Sequence, residues 1–250
     1  MSDAGSGTIE RREYKYLVPP SQFPAIRSFL KGRCSLDHNA GSNGMYAIRS
    51  LYLDTSDLRL ARANAAEVHT RFKVRVRTYP GKPAPVFLEI KRRYGDVIRK
   101  IRTRVPSTSW PALLDQPISD VPEGAVRFVD MVRALDLRPV CLVEYDREAW
   151  MSEVDDYARV TFDLAIGCER ADGWTLDPPT HARMPIDHPG ITATFEPVGV
   201  LEIKFADAPP RWMVTLVERF ELMRQAYSKY VNSVDALQEM GDLGARAVGS

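Results

Sequence analysis

The chain has 250 residues, 44% of them apolar, and balances 34 Lys+Arg against 33 Asp+Glu. That supports a sizeable core and excludes disorder, collagen and coiled coil, while no apolar run approaches the about 20 residues that a membrane-spanning helix needs. The three cysteines, Cys34, Cys141 and Cys168, are odd in number and lack paired spacing, and the opening MSDAGSGTIERREYKY carries no apolar signal segment, so a reducing, cytoplasmic setting without direct membrane insertion is expected.

Residues 1–7 and 241–250 are expected to be disordered ends around one domain spanning 8–235. Thr8–Val18 alternates as a strand. Pro19-Pro20-Ser21 then opens a helix to about Lys31, with Phe23, Ile26, Phe29 and Leu30 on its apolar side. His38–Gly44 is a loop, and Tyr46–Leu53 a strand ending at Asp54-Thr55, a turn or cap signal. Strands follow at 70–79, 85–92 and 96–105, the last two joined by a hairpin turn at Arg93-Tyr94-Gly95-Asp96. Residues 107–137 are predicted mostly helical, in pieces broken by Pro111, Pro117 and Pro122. Val140–Trp150, Tyr157–Ile166 and Gly199–Phe205 are further strands, Pro178–Pro197 is a Pro-rich loop, and 211–226 an amphipathic helix with Trp212, Leu216, Phe220 and Met223 on one face. Seven or eight mostly antiparallel strands with helices in the connections make an α+β fold.

The near-neutral total hides an asymmetry. Residues 71–104 hold twelve Lys/Arg and two acids, a net +10, which leaves −9 for the rest. Strand residues i, i+2 and i+4 share a face. Arg71, Lys73, Arg75 and Arg77 therefore stand opposite Phe72, Val74 and Val76, and Glu89 and Lys91 opposite Leu88 and Ile90. Lys100, Arg102 and Arg104 share a face, as do Arg159, Thr161 and Asp163, then Glu202 and Lys204, and at the start Arg11, Glu13 and Lys15. One such strand is an ordinary wet sheet face. Six of them mass like charges that repel unless an anion offsets them. A β-barrel with a charged interior and an outer apolar face under helices meets that demand. Arginine with a few carboxylates suits polyphosphate and a divalent metal, with Glu13, Glu89 and Glu202 as metal candidates.

In order from residue 11 to residue 230, the chain resembles the VTC domain of the triphosphate tunnel metalloenzyme (CYTH-like) superfamily. The matching pieces are Arg11-x-Glu13-x-Lys15-Tyr16, Ser50–Thr55, Arg71–Tyr79, Leu88–Lys91, Lys100-x-Arg102, Glu144–Arg147, Arg159–Asp163, Leu201–Lys204 and Tyr227–Tyr230. The resemblance implies a closed or nearly closed antiparallel eight-stranded β-barrel, a tunnel with a basic lumen flanked by helices. It implies a polyphosphate polymerase that moves the terminal phosphoryl of ATP to a growing polyphosphate chain. Lys15, Arg75, Arg77, Lys91, Arg147, Arg159 and Lys229 would be the catalytic lining, with Arg11, Lys73, Lys100, Arg102 and Lys204 as further substrate-binding cations. Glu202, with Glu13 or Glu89, would hold Mn²⁺ or Mg²⁺. The triphosphatase branch opens with two alternate glutamates before a lysine; Arg11 in place of the first favours the VTC-like branch.

The alternatives are a metal-dependent tripolyphosphate or nucleoside-triphosphate hydrolase, and a non-catalytic polyphosphate-binding domain with or without an unidentified protein partner. Nucleic-acid binding ranks last, because the charges alternate with apolar residues and no aromatic is expected among them. Plainer readings exist for single residues: Glu202 as a salt-bridge partner of Lys204, and Lys229 as a charge complementing a helix C-terminus. Arg99 and Glu144 blur the parity of Lys100, Arg102 and Arg147. The four histidines are scattered, the tryptophans read as packing residues, and neither glycine-rich stretch ends as a P-loop does.

Overall fold

Alternation of apolar and polar residues gives this chain a two-faced sheet. The computed structural model describes residues 12–80, 85–95, 97–155, 157–178, 183–241 and 243. Arg11, Lys82, Asp96 and His181 lie outside the described residues, as do the expected disordered ends apart from Gly241 and Leu243. The strands are β1 (Arg12–Val18), β2 (Cys34–Leu36), β3 (Met45–Asp54), β4 (Thr70–Thr78), β5 (Val86–Tyr94), β6 (Val97–Val105), β7 (Arg138–Ser152), β8 (Arg159–Arg170), β9 (Met184–Pro185) and β10 (Gly199–Phe205). The helices are α1 (Phe23–Leu30), α2 (Arg59–Ala65), α3 (Glu123–Ala134), α4 (Pro189–Thr192), α5 (Arg211–Arg219) and α6 (Lys229–Glu239).

All pairings are antiparallel, and the sheet runs β1-β10-β8-β7-β3-β4-β5-β6, with β2 added on β7 and β9 on β8. Among the described residues the expected barrel is therefore not closed by hydrogen bonds: β1 and β6 end the path unpaired with each other. Part of the reason is that the free edge of β1 is taken by the chain's C-terminal part. Tyr16 bridges to Arg224, and Gln225 N–H donates to Lys15 C=O at 2.9 Å. The sheet nevertheless curls, since Lys91 of β5 donates to Glu13 of β1 across six steps of the strand path.

The outer face carries two apolar clusters. Val74, Val76, Leu88 and Ile90 pack with Phe128, Val129 and Val132 of α3. Val160, Phe162, Leu201 and Ile203 pack with Ile26 and Leu30 of α1 and with Met213 and Leu216 of α5. Each such side chain contributes about 1.5–3 kcal/mol on burial. On the inner face one end is apolar: Ile48, Val143, Ile166 and Val200 lie against Tyr230, Val234 and Leu237 of α6.

Two helical expectations change. Over 107–137 only α3 is an α-helix. The rest is 3₁₀ turns at Ser107–Ser109, Ala112–Leu114 and Ile118–Asp120, because prolines interrupt the backbone hydrogen bonding. The helix expected over 211–226 stops at Arg219, since Glu221 takes a left-handed φ of 49° and turns the chain toward β1. Met223 is thus exposed, and Met213 and Leu216 form the buried side of α5. The cap signal at Asp54 holds: its carboxylate accepts from the N–H groups of Leu60 and Ala61, opening α2, a helix the hydrophobic pattern does not reveal.

At the start of β10, Gly199 has no room for a side chain: a Cβ would lie 2.5 Å from Phe23 Cζ and 2.6 Å from Leu164 Cδ2. Gly199→Ala should destabilise the fold by about 1–3 kcal/mol, read in calorimetry as a fall in Tm of roughly 2–4 °C per kcal/mol.

Candidate anion-binding site

Strand register, rather than proximity in sequence, assembles the site. Directly paired residues project to the same side of a sheet. The pairs Arg75↔Glu89, Lys73↔Lys91, Glu89↔Arg102 and Lys91↔Lys100 align the charges of β4, β5 and β6. Lys15↔Glu202, Glu13↔Lys204, Lys204↔Arg159 and Arg147↔Asp163 do the same for β1, β10, β8 and β7. Apart from Arg11, the predicted cations thus come to one inner face, where Glu13, Glu89, Asp163 and Glu202 are the carboxylates that meet them. Ion pairs also settle Lys100, Arg102 and Arg147, whose parity is ambiguous in the sequence.

The carboxylates form three groups. Glu89, 1% exposed, receives Arg75 Nε and Nη2 on Oε2 at 2.7 and 2.6 Å, with Lys100 and Arg102 on Oε1 at 2.7 and 3.3 Å. Burial opposes its ionisation, but Arg75, Arg77 and Lys100 hold the carboxyl far below the usual range. Fully buried Asp163 accepts a fork from Arg147 at 2.6 and 2.7 Å and Lys229 Nζ at 2.5 Å. Its carboxyl too stays ionised, because the two cations outweigh burial. Glu13 and Glu202 are diagonal neighbours on β1 and β10 and raise each other's proton affinity. Burial works in the same direction, yet both remain below the ordinary carboxylate range, Glu13 beside Lys91 and Glu202 beside Lys204 at 3.0 Å.

Several cations lack such relief. Lys73 makes no ion pair among the described residues; its Nζ donates to Ser228 Oγ at 2.8 Å. Burial, then Lys15, Lys91, Arg75 and Arg71, push its proton affinity well down. Lys15 donates to Tyr227 C=O at 2.6 Å, and burial brings its pKa down to about 8 despite Glu202. Arg77 hydrogen-bonds to the hydroxyls of Ser50 at 3.3 Å and Tyr145 at 3.2 Å and acts on Glu89 through its charge, without an ion-pair contact among the described residues. Arg159 Nε and Thr161 Oγ1 are buried without a hydrogen-bond partner. An arrangement of unpaired, crowded cations and unsatisfied donors is what a polyanion completes.

Lys229 is the first residue of α6, where the helix dipole disfavours a cation, so the reading as a C-terminal complement fails. Asp163 holds it there instead and keeps it charged despite burial. Ser228 caps the same helix by accepting from Val231 N–H. Glu202 does pair with Lys204. Sequence reasoning passed over Asp163, Tyr52, Tyr145 and Ser228, although the parity of β8 already put Asp163 beside Arg159 and Thr161. The expectation of no aromatics on the basic face is corrected as well. Phe87 precedes Glu89 by two residues and pairs with Arg77 and Arg104, and Tyr52 pairs with Arg75.

Among the described residues no three His, Cys, Asp or Glu side chains gather as a ready cage for a metal. Two adjacent carboxylates, Glu13 and Glu202, fit a divalent ion that takes its remaining ligands from phosphate and water. Glu89 does not fit, because Arg75, Lys100 and Arg102 surround it.

A family model described as the VTC domain matches residues 10–238. The chain belongs to the VTC domain family. The fold is shared with a Bacillus halodurans protein described as a candidate adenylate cyclase: 14% identity, 88% of this chain and 94% of that one, TM-score 0.53. The PH1819 protein of Pyrococcus horikoshii OT3 is also similar: 10% identity, 90% of this chain and 98% of that one, TM-score 0.46. No functionally curated protein matches the chain. Among the described residues of this VTC domain no helix is long and apolar enough to cross a membrane.

Two predictions follow from the crowded cations. Lys73→Met removes a charge that its neighbours repel, so it should stabilise the fold by about 1 kcal/mol while weakening tripolyphosphate binding about tenfold, read by thermal melts and calorimetric titration. Lys15 loses its proton as pH rises through about 8, and a bound polyanion favours the protonated form. Tripolyphosphate affinity should therefore fall from pH 7 to 9 with proton uptake on binding, and Lys15→Met should flatten that fall, which separates the lysine from the ligand's own titration.

Proposed function

We propose that this VTC domain is a polyphosphate polymerase-like phosphotransferase, which binds ATP and a polyphosphate chain along its inner face and joins them there. The observation that carries the reading is the excess of cations over carboxylates on that face, where Lys73 makes no ion pair among the described residues and Arg159 Nε is buried without a hydrogen-bond partner. Face and curl together would make a cation-lined tunnel for phosphate.

In this reading Lys15, Lys73, Arg77 and Arg159 grip phosphate oxygens. Arg147 and Lys229, aimed by Asp163, neutralise charge on the transferred group. Arg75, Lys100 and Arg102, gathered on Glu89, are fixed in place by that carboxylate. Phosphoryl transfer asks mainly for positioning and charge neutralisation. A terminal oxygen of the acceptor chain forms a bond to the γ-phosphorus of ATP, the bond from that phosphorus to the β–γ bridging oxygen breaks, and ADP leaves. Glu13 and Glu202 would hold Mg²⁺ or Mn²⁺, which supplies further charge neutralisation at the phosphates.

Transfer to a phosphate acceptor is favoured over hydrolysis by the state of the carboxylates. Glu13, Glu89, Asp163 and Glu202 are each engaged by cations, so none is free to act as a base for water, and a hydrolase here would depend on metal-bound water. The test is to incubate the protein with ATP and Mn²⁺ and resolve polyphosphate, ADP and free phosphate from one tube, with Glu202→Gln beside it. Chains and ADP in the wild type, falling at least tenfold in the variant, are expected. Free phosphate without chains would establish the hydrolase instead, and polyphosphate binding without either product a binding domain.

A further inference from the structure

The charged face does not end in charge. About 20 Å along β3 from Tyr52, which stacks on Tyr230 of α6 with ring centroids 4.7 Å apart, six residues of strand lead to Tyr46. Tyr46 touches Tyr79 at 5.9 Å between centroids, and Tyr79 meets Phe87 edge-on at 5.7 Å. The guanidinium of Arg102 lies over the Phe87 ring at 3.8 Å and donates to Tyr79 Oη at 3.0 Å. All three residues are only partly buried. They abut the cations directly. Tyr46 pairs with Arg147 and also feels the charge of Arg159, while Phe87 pairs with Arg77 and Arg104.

A shelf of aromatic and guanidinium planes beside a polyanion grip fits a ligand that is multiply charged at one end and flat and π-bonded at the other. An inorganic phosphate chain would use the cations and leave the rings idle. We propose that Tyr46, Tyr79 and Phe87, together with Arg102, form a nucleobase subsite on which the base of a nucleoside triphosphate stacks while its phosphates reach Arg77, Arg147 and Arg159. The proposal rests on the reading of this face as a triphosphate site and deepens it. Stacking on aromatic rings and on arginine planes is a general mode of base recognition.

The test compares ATP with inorganic tripolyphosphate by calorimetric titration at one Mg²⁺ concentration, on the wild type and on Tyr46→Leu, Tyr79→Leu and Tyr79→Phe. Base stacking is worth a factor of about ten or more, so both leucine variants should lower the ratio of ATP to tripolyphosphate affinity about tenfold. Tyr79→Phe, which keeps the ring and loses the hydroxyl, should preserve the ratio. An unchanged ratio in the leucine variants, whether both affinities hold or fall together, would make the rings packing residues and overturn the subsite. An equal loss in Tyr79→Phe would overturn stacking in favour of a hydroxyl contact. A wild type that binds neither ligand would remove the triphosphate reading itself, whereas tripolyphosphate binding with a flat ratio removes only the subsite.

Discussion

Positive charge gathered on one inner sheet face is the constraint around which the rest of this molecule is arranged. Cations from β1, β4, β5, β6, β7, β8 and β10 and from the start of α6 repel one another at short range, and the carboxylates that meet them cannot neutralise them all. The fold offsets that cost elsewhere. Apolar outer-face residues of the same strands pack under α1, α3 and α5. Two buried carboxylates on this face are shared, Glu89 among three cations and Asp163 between two, so a few acids hold many bases in fixed positions. A site so organised trades stability for readiness to bind.

The last quarter of the chain completes the site as well as covering it. Gln225 adds to the edge of β1, Tyr227 C=O receives Lys15, Ser228 receives Lys73, and Lys229 enters the Asp163 cluster. Tyr230 donates to Asp54 at 2.5 Å and stacks on Tyr52, fixing α6 against β3 and α2. Four consecutive residues therefore link the lining to the apolar plug, and the Lys15–Tyr227 bond joins residues 212 apart in sequence.

Much of this was legible in the sequence because strand alternation is local. The period of two named the charged face of β4, β5, β8 and β10 residue by residue, and the apolar partners it placed opposite are the outer core. The pattern said less where it had to be extended to residues that break the charge run. Phe87 and Tyr79 obey the same alternation as the cations, yet they fall outside a search for charge. α2 and α6 were missed because α2 is short and α6 draws its order from tertiary packing on β7 and β8.

The sequence by itself thus determined the strands, their two faces and the basic character of one of them, since each depends on spacings of two to four residues. Only the tertiary structure decided which carboxylate meets which cation. Glu89 and Glu202 stand alike in Leu-Glu-Ile-Lys motifs, but register surrounds the first with Arg75, Lys100 and Arg102 and brings the second beside Glu13. The same holds for the unclosed edge between β1 and β6, and for the lysine that opens α6 against its dipole. Those outcomes depend on the register and curl of strands far apart in the chain, and electrostatic energy follows distance in space rather than along the sequence.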